Sequence, residues 1–301
     1  MENILKGIIP PVITPLLNDD ELDVDGLKSL IEHLIAGGVH GLFILGTNGE
    51  APHLSYRLRK ELITKACEII DKRVPVLVGI TDTSFTGSIE IAEHSKEAGA
   101  DAVVVAPPYY FPISQKEMQD YLEDLVKVLP LPFVLYNMPS CTKMHMSVET
   151  VKKAKELGAL GIKDSSGDMF FLYTLIEEFK DSPDFAIIAG TELYLPDTIL
   201  HGGHGAVPGG ANIFPKLFVD LYNAAVKKDL EEIDRLLEIV HVLYKTIYNV
   251  GDSPMKITKG TKCSLSVMGI CSGYMVHPLR EFEGEERELI SKYVNDFTKL
   301  L

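Results

Sequence analysis

The stretch Leu157-Gly158-Ala159-Leu160-Gly161-Ile162-Lys163-Asp164 is an apolar run that ends in a lysine and a carboxylate. A short apolar run of this kind predicts a buried β-strand. A lysine at its end is partly removed from water, which favours the neutral amine, the nucleophilic form. The alternative is that the strand simply reaches the surface at Lys163, which is the commoner situation for an isolated lysine.

Similar apolar runs recur along the 301 residues and alternate with longer amphipathic stretches. This alternation is typical of repeated βα units around a parallel sheet. Candidate helices lie at residues 25–36, 56–70, 84–98 and 116–128. Eight βα units predict a closed (β/α)₈ TIM barrel. The eight candidate strands are residues 7–13, 41–45, 75–80, 102–106, 133–136, 160–163, 185–189 and 205–207.

The strand pattern stops after about Asn212, and helical periodicity with mixed charges follows at residues 216–250 and 285–301. No linker rich in Pro, Gly or Ser separates the two parts, so the extension is expected to pack on the barrel. We predict a barrel domain over residues 1–228 and a C-terminal helical domain over residues 229–301.

Composition and charge argue against several classes of protein. The chain is 46% hydrophobic and 24% charged, with a formal net charge of -14. Nucleic acids and anionic membranes need a basic face, so neither is expected as a partner. No stretch resembles a membrane span or a secretion signal, so a cytoplasmic protein is expected. Reduced thiols without metal spacing are expected at Cys67, Cys141, Cys263 and Cys271.

Reactive side chains follow the ends of four predicted strands. These are the segments Gly-Thr-Asn-Gly-Glu at 46–50, Pro-Pro-Tyr-Tyr at 107–110, Tyr-Asn-Met-Pro at 136–139 and Lys-Asp-Ser-Ser-Gly-Asp at 163–168. Barrel enzymes place their active sites at the carboxyl ends of the strands. One rim is therefore expected to gather a lysine, hydroxyls and phenols.

These residues supply the three parts that a Schiff-base enzyme needs. Lys163 would be the amine, Tyr136 the proton shuttle, and Thr47 and Asn48, with their backbone N–H groups, the binding site for a carboxylate. Taken alone, Tyr136 could be an ordinary amphipathic residue at a strand end, and the 46–50 segment a plain βα turn. The occurrence of Lys163, Tyr136 and the 46–50 segment at the ends of strands of one predicted barrel favours the catalytic interpretation.

The 46–50, 136–139 and 161–164 segments, at these separations, resemble the dihydrodipicolinate synthase and N-acetylneuraminate lyase superfamily of class I pyruvate-dependent aldolases. The resemblance covers nearly the whole chain. It implies a (β/α)₈ barrel with a C-terminal helical domain, a pyruvate Schiff base on Lys163 without metal or other cofactor, and a homotetramer built as a dimer of dimers. The implied relay tyrosine is Tyr136, and the implied carboxylate-binding pair is Thr47 and Asn48.

The resemblance implies two further site residues. A second relay tyrosine, which crosses a subunit interface, would be Tyr110, whose alternative interpretation is an exposed loop aromatic. A backbone carbonyl near the Schiff base would be that of Val207. The glycine-rich stretch before it lacks the strand-GxGxxG-helix order of a dinucleotide site. His201 and His204 have no carboxylate or thiol beside them in the sequence, so no metal site is predicted.

Cys141 bears on the second substrate. Dihydrodipicolinate synthases that resemble this chain carry an arginine at this position, where it binds the carboxylate of aspartate semialdehyde. A thiol has neither the positive charge nor the two parallel N–H donors with which a guanidinium binds a carboxylate. Loss of that cationic partner should weaken binding of the aspartate semialdehyde carboxylate by about 2–5 kcal/mol, unless Lys143 reaches the carboxylate instead. Sialic acid lyases place a neutral residue there and an adjacent acidic pair after strand seven. This chain has a single carboxylate there, Glu192.

The 163–168 segment resembles those of 2-keto-3-deoxy-sugar-acid aldolases. We therefore predict a pyruvate-dependent carbon–carbon lyase that cleaves or forms a 2-oxo-3-deoxy acid, the other component being an aldehyde. The acceptor side is assigned to Ser165, Gly190, Glu192 and Cys141. Three alternatives stay open: 4-hydroxy-tetrahydrodipicolinate synthase, a non-catalytic sensor of 2-oxo acids, and a barrel with a phosphate site at Gly209-Gly210.

Overall fold

The structure, a computed structural model, describes residues 5–301. Its central sheet has eight parallel strands, which pair in the order β1-β8-β7-β6-β5-β4-β3-β2. The strands are β1 (Gly7–Ile8), β2 (Leu42–Ile44), β3 (Val76–Gly79), β4 (Ala102–Val105), β5 (Phe133–Asn137), β6 (Gly161–Asp164), β7 (Ala186–Ala189) and β8 (Gly205–Ala206). Phe43 N–H donates to the Pro10 carbonyl (3.0 Å), and the Phe43 carbonyl accepts from Val12 N–H (2.8 Å). These bonds join the two ends of the sheet, and the arrangement fits the predicted TIM barrel.

A helix follows each strand before the next one begins. These helices are α1 (Val24–Ala36), α2 (Tyr56–Ile70), α3 (Phe85–Ala98), α4 (Gln115–Val126), α5 (Val148–Glu156), α6 (Met169–Glu178), α7 (Leu195–Leu200) and α8 (Pro215–Lys227). The serines that precede α2 to α5 cap their first turns, because each side chain accepts a backbone N–H that has no partner within the helix. A short helix, Pro139–Thr142, precedes α5, and a hairpin of Leu16–Asn18 with Glu21–Leu22 precedes α1.

Three more helices follow the barrel: α9 (Leu230–Lys245), α10 (Lys256–Val267) and α11 (Gly284–Phe297). The helical pattern predicted over 216–250 is interrupted because Lys228 adopts a left-handed conformation and Asp229 starts a new helix as its N-cap. Helix α10 was not predicted. Phe297 of α11 stacks on Phe214 at 4.3 Å between ring centroids, so α11 packs on the barrel. Among residues 5–301, no helix has both the length and the apolar character to cross a membrane.

Two hydrophobic clusters form the core. The larger one fills the layer between strands and helices. The smaller one fills the barrel, and alternation along the strands places Tyr136 in it. Strand β1 is shorter than predicted because Pro10 and Pro11 have no N–H for a ladder. The predicted absence of a signal at residues 1–6 falls mostly outside the described residues, since residues 1–4 are not among them.

Candidate active site

Lys163 and Tyr136 lie side by side at the carboxyl end of the barrel. They are register partners on the adjacent strands β6 and β5. Both are buried, with 6% and 7% of their surface exposed. The amine Nζ of Lys163 lies 4.1 Å from the centroid of the Tyr136 ring and 5.1 Å from that of Phe43. The amine is therefore inside the barrel mouth, and the interpretation of Lys163 as a surface residue is wrong.

The turn at residues 46–50, which we call the 46–50 turn, brings a hydroxyl to this pair. Thr47 Oγ1 and Tyr136 Oη are hydrogen-bonded at 3.2 Å. The turn is tight: Gly49 N–H donates to the Gly46 carbonyl, and a Cβ on Gly49 would lie 3.1 Å from the Val12 carbonyl oxygen. Glycine at position 49 therefore lets the turn pack closely against the chain that follows β1.

A cavity of about 210 Å³ opens beside Lys163. It brings together eight of the ten predicted site residues, which are Thr47, Asn48, Tyr136, Lys163, Ser165, Gly190, Glu192 and Val207. A Cβ on Gly190 would lie 1.8 Å from Ser165 Oγ, so only glycine lets these two loops meet. Lys163 is the single lysine or arginine among the residues that line this cavity.

The other two predicted residues lie elsewhere. Cys141 lines a second cavity of about 330 Å³, which shares Thr47, Tyr136 and Met138 with the first. Tyr110 is 68% exposed and lines neither cavity, so its relay role stays a prediction that requires a partner subunit. Lys143 is directed to Tyr110, whose carbonyl accepts from Nζ at 3.1 Å, and it also lines neither cavity.

Glu192 is a buried carboxylate whose oxygens already have protein partners. Gly209 N–H donates to Oε2 (3.0 Å), while Gly210 N–H (3.2 Å) and the Tyr248 hydroxyl (2.8 Å) donate to Oε1. Burial raises the pKa of Glu192 to about 6, against the opposing effects of these hydrogen bonds and of the charge on Lys163. A carboxylate has about four acceptor positions, so roughly one is left for a ligand.

We expect an infrared difference titration, wild type minus Glu192→Gln, to reveal one carboxyl group with a midpoint near pH 6. Tyr248→Phe should raise that midpoint further, by about one pH unit, because it removes a donor to the ionised form. A midpoint near 4.5, the ordinary value, would contradict this account of Glu192.

A hydrogen-bonded pair of side chains lies one residue beyond Tyr136 and Lys163 on the same two strands. Asn137 and Asp164 follow Tyr136 and Lys163 and are also register partners, with Asn137 Nδ2 donating to Asp164 Oδ1 at 2.7 Å. The Ser166 hydroxyl donates to Asp164 Oδ2 at 2.8 Å. Burial raises the pKa of Asp164, and these hydrogen bonds oppose the shift. The pair ties β5 to β6 where the reactive side chains emerge.

One part of the site comes from beyond the barrel and was not predicted from the sequence. Tyr244, Tyr248 and Ile257 line the cavity beside Lys163, and Thr258 Oγ1 donates to Asn48 Oδ1 at 3.2 Å. These residues lie on or near α9 and α10, and no local pattern marks them. Within residues 5–301, no group of three His, Cys, Asp or Glu side chains is arranged to hold a metal ion.

Comparison with known proteins identifies the family. The family model described as the dihydrodipicolinate synthetase family matches residues 4–296. The chain belongs to this family. The prediction of a pyruvate-dependent carbon–carbon lyase is thereby confirmed at the level of the family.

Three relatives illustrate its range. A probable 2-dehydro-3-deoxy-D-pentonate aldolase of Escherichia coli is 36% identical over 75% of this chain and 76% of its own length. A solved dihydrodipicolinate synthase from Bacteroides thetaiotaomicron is 49% identical, with a TM-score of 0.95 over 98% of this chain and 100% of that one. A solved E. coli prophage protein of the family, in complex with pyruvate, is 31% identical, with a TM-score of 0.88 over 99% of each chain.

Proposed function

We propose that this member of the family is a class I aldolase that forms an imine between Lys163 and pyruvate and cleaves or forms a 2-oxo-3-deoxy acid. The observation that carries the proposal is the arrangement of three groups. The buried Nζ of Lys163 lies over the Tyr136 ring, and Tyr136 Oη is hydrogen-bonded to Thr47 Oγ1. An amine with an adjacent hydroxyl pair is what imine chemistry requires.

Each step then has a group to perform it. Lys163 Nζ adds to the carbonyl carbon of pyruvate, and the carbonyl oxygen leaves as water after it receives protons. Tyr136 shuttles these protons, with Thr47 as its hydrogen-bonded partner. Thr47 and Asn48 bind the carboxylate, and the Val207 carbonyl faces the imine. No step requires a metal or another cofactor.

The cavity lining supports an uncharged, hydroxylated aldehyde as the second component. Lys163 is its single lysine or arginine, so an acceptor carboxylate would have no cation to pair with once the imine forms. When ionised, Glu192 would also repel such a group. The hydroxyl groups of an aldose-derived aldehyde would instead find hydrogen-bond partners in this cavity. These partners are Ser165 and the remaining acceptor position of Glu192. Cys141, in the adjoining cavity, adds no charge.

Two other functions remain candidates. Condensation of pyruvate with aspartate semialdehyde is favoured by the likeness to the Bacteroides thetaiotaomicron dihydrodipicolinate synthase. A non-catalytic sensor of 2-oxo acids would keep the carboxylate site but would need no Tyr136–Thr47 pair. We further propose a cytoplasmic homotetramer, a dimer of dimers in which Tyr110 reaches a partner's site, and a domain boundary between residues 228 and 229.

Treatment with pyruvate and sodium borohydride tests the imine. We expect one pyruvate-derived mass per chain at Lys163, because reduction makes the imine permanent. Lys163→Met should abolish the adduct while leaving the fold intact. An adduct on another lysine, or none, would overturn the proposed mechanism. Turnover of a 2-oxo-3-deoxy acid by the same preparation separates the enzyme from the sensor.

A further inference from the structure

We propose that the buried ion pair between Glu50 and Lys262 positions the 46–50 turn, so that helix α10 helps to bind the pyruvate carboxylate. Both side chains have 0% relative exposure, and Lys262 Nζ donates to Glu50 Oε1 at 2.6 Å. The second oxygen, Oε2, accepts from Val276 N–H at 2.9 Å. Both oxygens of a residue in the turn are therefore held by the segment that follows the barrel.

Stability alone does not account for this pair. Removing two charges from water costs several kcal/mol, and a buried ion pair is often no more stabilising than apolar residues of the same volume. Burial lowers the pKa of Lys262, although the nearby Glu50 charge opposes the shift. Burial of the Glu50–Lys262 pair therefore costs desolvation energy. In return, directional hydrogen bonds, and not only packing, determine the position of the 46–50 turn.

The backbone conformation of Glu50 links the pair to Thr47. Glu50 has φ 56°, in the left-handed region that a residue with a side chain adopts at a cost unless its surroundings hold it there. In this conformation Glu50 N–H donates to the Thr47 carbonyl at 3.1 Å. Release of the Glu50 side chain would free the turn to relax, and Thr47 would move with it.

Helix α10 has a second contact with the turn. Thr258 lies four residues before Lys262, on the same face of α10, and its hydroxyl donates to Asn48 Oδ1 at 3.2 Å. With Oδ1 engaged, Asn48 Nδ2 remains as the donor for a ligand carboxylate. Helix α10 thus contacts the turn at two residues, Asn48 and Glu50. Lys262 lines neither cavity, so it is a positioning residue and not a catalytic one.

The inference rests on the proposed imine chemistry, and pyruvate-dependent borohydride trapping tests both. In Glu50→Gln/Lys262→Met, which removes both charges together, we expect the pyruvate concentration for half-maximal trapping at Lys163 to rise about tenfold or more. Because Thr47 is also bonded to Tyr136, kcat at saturating pyruvate should fall as well, but by a clearly smaller factor than the half-saturating concentration rises. Thr258→Val should raise the half-saturating concentration by a smaller factor.

Glu50→Asp covers the case in which the double variant does not fold, since it keeps the charge but shortens the side chain by one methylene. The same rise in half-saturating pyruvate is expected. As a control, Glu32→Gln/Arg73→Met removes an ion pair whose two residues line neither cavity, and it should leave this concentration unchanged. Folded variants with wild-type half-saturation, or with equal losses in binding and kcat, would overturn the inference. Absence of trapping in the wild type would instead overturn the proposed function.

Discussion

Tyr136→Phe is expected to lower turnover by about 10²–10⁴-fold, the usual range for a positioned acid–base group. The substitution removes only the hydroxyl that is bonded to Thr47 Oγ1 at 3.2 Å. It keeps the aromatic ring that Lys163 Nζ approaches to 4.1 Å from the centroid, so the amine should stay in place. Steady-state kcat with a 2-oxo-3-deoxy acid measures the effect.

The controls separate the hydroxyl from the fold. Tyr222→Phe removes a phenolic hydroxyl on α8 that lines neither cavity, and should leave kcat within about twofold of the wild type. Tyr110→Phe should reduce kcat less than Tyr136→Phe if it only relays protons between subunits. Near-normal turnover in Tyr136→Phe would mean that another group, or water, moves the proton.

The protein is expected to prefer cleavage of a 2-oxo-3-deoxy acid over condensation with aspartate semialdehyde by about 30- to 5000-fold in kcat/KM. This range corresponds to the 2–5 kcal/mol lost, in order of magnitude, when a buried carboxylate has no cationic partner. The cavity beside Lys163 has no other lysine or arginine in its lining, and Lys143 is held at Tyr110. A panel of pyruvate-derived aldols measures the preference.

Cys141 allows this preference to be changed. Cys141→Arg should shift the ratio toward aspartate semialdehyde, because a guanidinium can bind a carboxylate with two hydrogen bonds. Cys141→Ser, which stays neutral and compact, should leave the ratio unchanged. Efficient condensation with aspartate semialdehyde by the wild type would instead identify the protein as a 4-hydroxy-tetrahydrodipicolinate synthase. An unchanged ratio in Cys141→Arg would mean that position 141 does not face the acceptor.

Local patterns in the sequence predicted the barrel well, because each βα unit carries its own evidence. The run that ends at Lys163 and the segment that ends at Tyr136 both proved to be buried strands, in register with each other. Parallel strands in a barrel end at one rim, so the segments at the ends of β2, β4, β5 and β6 could be grouped from the sequence alone, and the family resemblance added residues after β7 and β8. Eight of the ten assigned residues line one cavity, and Tyr110 after β4 does not.

The residues that sequence analysis missed share a different property: their partners are distant in the chain. Lys262 pairs with Glu50 across 212 positions, and Tyr248 bonds to Glu192 across 56. No periodicity encodes such a contact. The sequence assigns Glu192 to the acceptor side, but it does not show that two backbone N–H groups and Tyr248 occupy most of its carboxylate, since the loop after β8 folds back onto it.

The register between Tyr136 and Lys163 has a consequence for how such a barrel can diversify. The two groups that perform the shared chemistry are placed by the hydrogen-bond ladder of β5 and β6, which tolerates little displacement. The groups assigned to the variable half of the substrate, at positions 141, 165 and 192, lie in connections beyond the strand ends, where substitution perturbs the sheet least. Laboratory evolution toward a new aldehyde should therefore accumulate changes in those connections and leave the strands untouched.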